Sequence, residues 1–172
     1  MQFSKPHISK LRIESLQVCL DKAKSIIQTE IERRGHSFHM EEKAGPLFVE
    51  MDPDKIVQVL VNLFKNAIEA MHEVGEIHIS TYDIKDHAAI EVSDNGPGIP
   101  ESIMDKLFNP FFTTKPSGTG LGLAISQKIV QDHGGRIGGS INEAGLSNFA
   151  FRTVSLRGYS KPLSGDSFVH YQ

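Results

Sequence analysis

Two glycine clusters, Gly96–Pro97–Gly98 and Gly118–Thr119–Gly120–Leu121–Gly122, hold five of the chain's 15 glycines. The second cluster runs directly into a segment of helical periodicity. Successive glycines let backbone N–H groups approach an anion unobstructed, and a helix N-terminus adds partial positive charge. In chemical terms this is a phosphate cradle; the plainer reading is a flexible loop that feeds a helix. Two standard phosphate motifs fail on spacing. A Walker loop requires Gly-Lys-Ser/Thr where Leu121–Gly122–Leu123 stands. A dinucleotide fingerprint requires its third glycine at Leu123 and a strand in place of Pro116–Ser117.

A second group lies on the helical segment Asp52–Glu73. Lys55, Gln58, Asn62, Asn66, Glu69 and Glu73 recur every three or four residues and form one stripe. A solvated face would suit such a stripe, but Asn is a poor helix former because its amide competes for backbone hydrogen bonds. Two Asn one turn apart suggest that the carboxamides themselves are used. A carboxamide oxygen is a hard, neutral ligand for Mg²⁺, which takes few protein ligands and completes its octahedron with water and phosphate oxygens. A third group, Asp94–Asn95–Gly96–Pro97–Gly98–Ile99, ends an apolar strand. A carboxylate there can accept a hydrogen bond from an exocyclic amine such as that of adenine. Taken alone, the same residues also suit a type I′ turn.

These groups need a scaffold, and the chain has room for one. Its 172 residues suffice for one well-buried domain, and 39% hydrophobic with 23% charged residues describe an ordinary globular protein. The net charge of −3 with scattered Lys and Arg argues against a nucleic-acid or anionic-membrane surface. The single cysteine, Cys19, fits a reducing compartment, and the sequence shows neither a membrane-length apolar run nor a signal peptide. A cytoplasmic chain, a fragment of something longer, is expected. Periodicity predicts a helix from Ser15 to Arg34 ending at Gly35, with Leu16, Leu20, Ala23, Ile27 and Ile31 inward. His36–Glu42 and Leu47–Met51 read as a hairpin turned around Ala44–Pro46. Asp52 caps a helix to about Glu73, with Pro53 at its first position. Glu76–Asp83 and His87–Ser93 read as a strand pair, and Pro100–Leu107 as a short helix. A helix follows from Thr119 to His133, with Leu121, Ala124, Ile125, Lys128 and Ile129 along one side. Ile137–Ile141 and Phe149–Leu156 close the fold as strands. This order predicts an α/β (α+β) two-layer sandwich, a mixed sheet covered on one face by about three helices.

The motifs in this order resemble those of one family. Asn62–Leu63–Phe64–Lys65–Asn66–Ala67–Ile68–Glu69–Ala70 is similar to the N box of bacterial sensor histidine kinases. Asp94–Asn95–Gly96–Pro97–Gly98–Ile99 resembles their first glycine box, and Phe108–Asn109–Pro110–Phe111–Phe112 their F box. Gly118–Thr119–Gly120–Leu121–Gly122–Leu123 resembles their second glycine box. The resemblance covers residues 10–157, the ATP-binding catalytic domain with the Bergerat fold that gyrase and MutL share. Residues 1–9 then form a linker remnant, where Phe3–Ser4–Lys5–Pro6 resembles the exit from dimerisation helices, and 158–172 a C-terminal tail. The compact Phe111–Val130 stretch is similar to that of nitrogen-regulation and sporulation-type kinases.

The resemblance implies ATP and Mg²⁺ as cofactors, and it implies roles. Asp94 would read the adenine amino group, with Gly96, Gly98 and Ile99 lining the base. Asn66 would hold the metal, with Asn62 and Glu69 beside it. Gly118, Thr119, Gly120, Leu121 and Gly122 would cradle the phosphates, and Lys115 would contact them through its side chain. Phe108, Phe111 and Phe112 would anchor a lid over Asn109–Ser117, which includes Thr114. Asn62, Asn66 and Lys115 form the implied catalytic set, in keeping with a reaction that needs alignment and charge neutralisation more than a nucleophile.

Two features depart from the family. Its third glycine box is reduced here to Gly145, with Ser147 and Asn148 before Phe149. Hydrolysing relatives carry a glutamate base four residues before the metal-binding Asn, where this chain has Asn62. The implied activity is transfer of the γ-phosphoryl group to a histidine on a separate dimerisation domain, for relay to a response-regulator aspartate. A serine kinase of the anti-sigma type and a non-catalytic nucleotide-binding module are the alternatives. None of the eight histidines has the acceptor context of an acidic neighbour and a nearby Pro. His133, at a helix C-terminus, reads as structural, with a cation favoured there by the helix dipole. The fragment is expected to be a monomer of a homodimeric protein whose membrane anchoring is left open.

Overall fold

The computed structural model describes residues 10–85, 87–139 and 150–159. The chain opens with a short strand, β1 (Arg12–Ser15), whose four residues are too few to show alternation in sequence. Ser15 is the N-cap of α1 (Leu16–Arg34), and Gly35 ends that helix in the left-handed region at φ 72°. All five positions expected inward on α1 are buried, as is Cys19, whose thiol is pushed up to about 11 by burial. Asp52 caps α2 (Pro53–Ala70) by accepting a hydrogen bond from the Lys55 N–H (3.3 Å), with Pro53 at the first turn. α2 stops at Ala70, not near Glu73, because Met71 turns extended (φ −88°, ψ 119°) and buries its side chain. Glu73 therefore leaves the polar stripe.

Six strands form one mixed sheet in the order β1-β3-β6-β5-β4-β2. Here β2 is Ser37–Glu42, β3 Phe48–Met51, β4 Glu76–Ile84, β5 His87–Asp94 and β6 Ala150–Tyr159. The hairpin expected between β2 and β3 does not form. β2 runs parallel to β4 at one edge, while β3 lies antiparallel between β1 and β6. A parallel neighbour requires a long crossover connection, and α2 within the β2–β4 connection supplies it. The loop between β2 and β3 is held from both sides: the Lys43 N–H donates to the Thr81 carbonyl (3.0 Å) and the Leu47 carbonyl accepts from the Leu16 N–H (2.9 Å). The pairing of β4 with β5 agrees with the sequence reading.

α1, α2 and α4 (Gly122–Asp132) cover one face, α2 packing between the other two. Ile77 and Ile79 of β4 and Ala88, Ile90 and Val92 of β5 meet them in a single core, where Phe38 and Phe64 make an edge-to-face contact at 5.1 Å. α4 begins three residues later than expected and turns Ser126, Ile129 and Val130 inward, leaving Ile125 and Lys128 exposed. The apolar stripe misleads there because a polar residue, Ser126, occupies a buried position. The short helix α3 (Glu101–Met104) lies between β5 and the second glycine cluster. Residues 137–139 are irregular, and the remainder of the strand expected at Ile137–Ile141 lies outside the described residues, as do Gly145 and Phe149.

Candidate nucleotide-binding site

The alternation of β5 decides where its terminal carboxylate goes. Ile90, Val92 and Asp94 share a parity and therefore a face, so Asp94 is drawn under the helices at 2% exposure. Its Oδ1 accepts the Gly96 N–H at 2.8 Å, which curls the chain directly after the strand. A Cβ on Gly96 would meet that oxygen at 2.7 Å and the Ala70 carbonyl at 3.3 Å, so only glycine fits. Gly98 follows at φ +76°, a left-handed conformation that favours glycine, and Ile99 is buried just beyond it. The turn is thus an extension of the core. Asn95 braces it by accepting the Glu76 N–H on its Oδ1 (2.9 Å), and His36 Nδ1 accepts the neighbouring Gly75 N–H (3.0 Å). Neither brace is evident from sequence spacing, since both join residues far apart in the chain.

The second half of the site faces the polar stripe of α2. Asn66 is half-buried and Glu69 exposed, one turn apart on one side of the helix. The Lys115 ammonium reaches both, at 3.3 Å from Asn66 Oδ1 and 2.5 Å from Glu69 Oε2. Two oxygen donors on α2 therefore converge on one cation, and that donor set fits Mg²⁺, a hard ion bound by carboxamide and carboxylate oxygens. Asn62 is committed elsewhere: its Nδ2 donates to Ser126 Oγ at 3.1 Å, and its carboxamide packs where a Cβ on Gly122 would stand. It joins α2 to the first turn of α4 and carries no proton-accepting group. Ser126, buried at 2% exposure, escapes a sequence search for chemistry; its polar type inside an apolar stripe is the available signal.

The loop between these halves is held mostly by itself. The Phe111 N–H donates to the Gly120 carbonyl (2.9 Å), the Gly118 N–H to the Lys115 carbonyl (3.1 Å) and the Lys115 N–H to Thr113 Oγ1 (3.1 Å). The Leu121 N–H points to Thr119 Oγ1 at 3.4 Å. Two of the expected phosphate donors, Gly118 and Leu121, are thus turned to partners within the loop. Thr114 and Thr119 are exposed. Of the three phenylalanines expected as anchors, Phe108 packs on the core and Phe112 is half-buried, whereas Phe111 does not anchor. It is 75% exposed, at a left-handed φ of 67°, because Gly120 (φ +67°) lies directly against its backbone. At the far end of α4, His133 Nε2 accepts the Asp52 N–H (3.0 Å), so the Nδ1 tautomer carries the proton toward the Ile129 carbonyl (2.7 Å). His133 is structural, as read, but as a neutral ring tying α4 to the start of α2 and not as a cation on the dipole.

Fold and site together define an α+β nucleotide-binding domain: a buried carboxylate at a strand end, a carboxamide on a covering helix that accepts a lysine ammonium, and a glycine loop feeding a second helix. The chain belongs to the histidine kinase-, DNA gyrase B- and HSP90-like ATPase family, whose model matches residues 51–160, and within it is a sensor-histidine-kinase catalytic domain. It is 38% identical over 140 residues to the signal transduction histidine-protein kinase AtoS of Escherichia coli, covering 80% of this chain and 23% of that protein. Sporulation kinase D of Bacillus subtilis is 38% identical over 138 residues, 77% of this chain and 26% of the relative. The chain therefore spans about a quarter of these relatives. Among solved structures, the catalytic domain of histidine kinase ThkA superposes with a TM-score of 0.78 at 36% identity, covering 86% of this chain and 95% of that one. ThkA in complex with the response regulator protein TrrA gives a TM-score of 0.73 at 33% identity, over 85% of this chain and 41% of that one. No helix among the described residues is long and apolar enough to cross a membrane.

Proposed function

We propose that residues 10–157 bind Mg·ATP and donate its γ-phosphoryl group to a histidine on a separate dimerisation domain, which passes it to a response-regulator aspartate. The observation that carries this reading is the convergence of Asn66 and Glu69 on one cation beside the glycine loop. In this reading Asp94 accepts the adenine amino group in its buried setting, with Gly98 and Ile99 against the base. Asn66 would hold Mg²⁺ through its carboxamide oxygen, with Glu69 beside it. The metal's role when bound is to neutralise phosphate charge. The Lys115 ammonium moves from the two α2 oxygens to the phosphates, while Gly118, Gly120, Leu121 and Gly122 turn their N–H groups toward them. Asn62 keeps α4 in place under the cradle and gives an attacking water no base, which favours transfer over hydrolysis.

The domain would act as a monomer in trans within the cytoplasm, and the whole protein as a homodimer. Incubation with γ-labelled ATP tests this. The chain alone should acquire no acid-labile, base-stable label, and label should appear once acceptor helices are supplied. Label on the isolated chain overturns the trans reading; no affinity for ATP or ADP at millimolar concentration overturns the whole of it.

A further inference from the structure

The face of the sheet turned away from the helices carries a cluster that the nucleotide site does not use. β2 and β4 run parallel with His39 and His78 as direct partners, so the two side chains stand side by side. Their rings stack at 4.8 Å between centroids, 18° from parallel. Glu76 precedes His78 by two residues and so projects from the same face, and its Oε2 lies 3.1 Å from His78 Nε2. Ile77 and Ile79, of opposite parity, are buried beneath them. One ligand atom from each of His39, Glu76 and His78 falls within 4.8 Å of the others.

We propose that His39, His78 and Glu76 form a surface site for a divalent transition metal of the zinc type, bridging the edge strand β2 to β4. Two imidazole nitrogens and one carboxylate oxygen are a donor set for Zn²⁺, with water completing a tetrahedron. Ligand bonds of about 2.0–2.2 Å bring three such atoms within roughly 3.5 Å of one another. All three side chains are exposed, so rotation about their own torsions closes the remaining gap without moving the backbone. Mg²⁺ prefers oxygen donors and would not compete, so the site is chemically separate from the one at Asn66. A metal here would also cross-link an edge strand that, among the described residues, has a neighbour on one side only.

The test is a Zn²⁺ titration of the nucleotide-free chain in Mg²⁺-containing buffer, read by competition with a chromophoric chelator, with thermal melts alongside. One Zn²⁺ should bind per chain at micromolar concentration and raise Tm. His39→Ala and His78→Ala should each weaken binding by at least about tenfold and cancel the Tm rise, with Glu76→Gln losing less. Because all three residues are exposed, the variants' metal-free melts should overlay that of the parent; His39→Gln, which keeps a polar side chain, serves where the alanine variant does not fold. The proposal is overturned if the double histidine variant binds Zn²⁺ as the parent does, or if the parent binds none at micromolar concentration.

Discussion

The proposed adenine end and the proposed phosphate end of the site are built by opposite means. At the adenine end Asp94 is inherited from the core: strand parity buries it, Gly96 folds onto it, and Asn95 and His36 lock the surrounding backbone. At the phosphate end, the residues from Asn109 to Leu121 make most of their hydrogen bonds within the loop, and Phe111 stands in solvent. Among the described residues its long tether is Lys115, whose ion pair with Glu69 joins side chains 37% and 44% exposed, and so holds little. Segments with few buried contacts open at low free-energy cost. In the proposed reading, base recognition is therefore preorganised by folding, while the groups assigned to the phosphates are free to rearrange around a ligand.

The contrast predicts different penalties. Asn66→Ala should have the largest effect, because it removes the oxygen proposed to hold the metal at the flexible end. Transfer to added acceptor helices should fall by on the order of 10²-fold or more, with loss of the Mg²⁺ dependence of ATP binding. Unchanged metal dependence in titration calorimetry would remove Asn66 from the site. Asp94→Asn should cost about 2 kcal/mol of adenine-nucleotide affinity, roughly 30-fold, for ATP and ADP alike. Asparagine keeps an oxygen for the Gly96 N–H, so the melt should be preserved. If GTP binds the parent as well as ATP does, the adenine end does not read the base.

Sequence made much of the scaffold legible, because its signals are local. The helical period of α1, the Asp52–Pro53 start of α2 and the alternation of β4 and β5 each lie within one segment. The hairpin of β2 with β3 fails because pairing partners are a non-local choice: β1 is too short to announce itself, and α2 carries the chain to a parallel neighbour. At the site, the motifs point to Asp94 and Asn66; the fold buries the first at the end of β5 and half-buries the second on α2. The sequence does not reveal that Asn62 is bonded to Ser126 or that the Lys115 ammonium sits between Asn66 and Glu69. Those depend on how α4 and the loop settle on α2, which no spacing encodes. Phe111 shows the same limit: its type suggests an anchor, while the close approach of Gly120 turns it outward.

Lys115→Ala sharpens the comparison from the side of the loop. The exposed ion pair adds little stability, so Tm should move by no more than about 2 °C. Loss of the ammonium should instead appear in the ligand: ATP affinity should drop by about threefold to tenfold relative to adenosine, in line with one partly solvated charge contact. An equal drop for adenosine would mean that the loop acts on the base and that the two ends are not separable.

The smallest effect belongs to the adenine end and its bracing histidine. His36 is buried, and its Nδ1 already accepts the Gly75 N–H, so a proton on that nitrogen would break the brace. Burial first, and the Arg34 charge second, hold its pKa below the ordinary histidine value of 6.5. The sign follows from which state binds more protons. Above pH 6.5 the ring is neutral in both states and its contribution is fully present. As pH falls through that value the unfolded chain takes up a proton that the folded chain refuses, so stability declines until the folded pKa is also passed. Glu30 and Asp54, whose carboxyls are held low by Arg33 and Arg34 and by Lys22 respectively, lose their contributions only at more acidic pH. Denaturation midpoints measured between pH 7.5 and 5.5 should therefore fall for the parent and stay flatter for His36→Asn, whose carboxamide oxygen can accept the same N–H. Parallel curves for the two proteins would show that His36 does not titrate against folding, and that the rigidity of the adenine end rests on Asn95 and Gly96 alone.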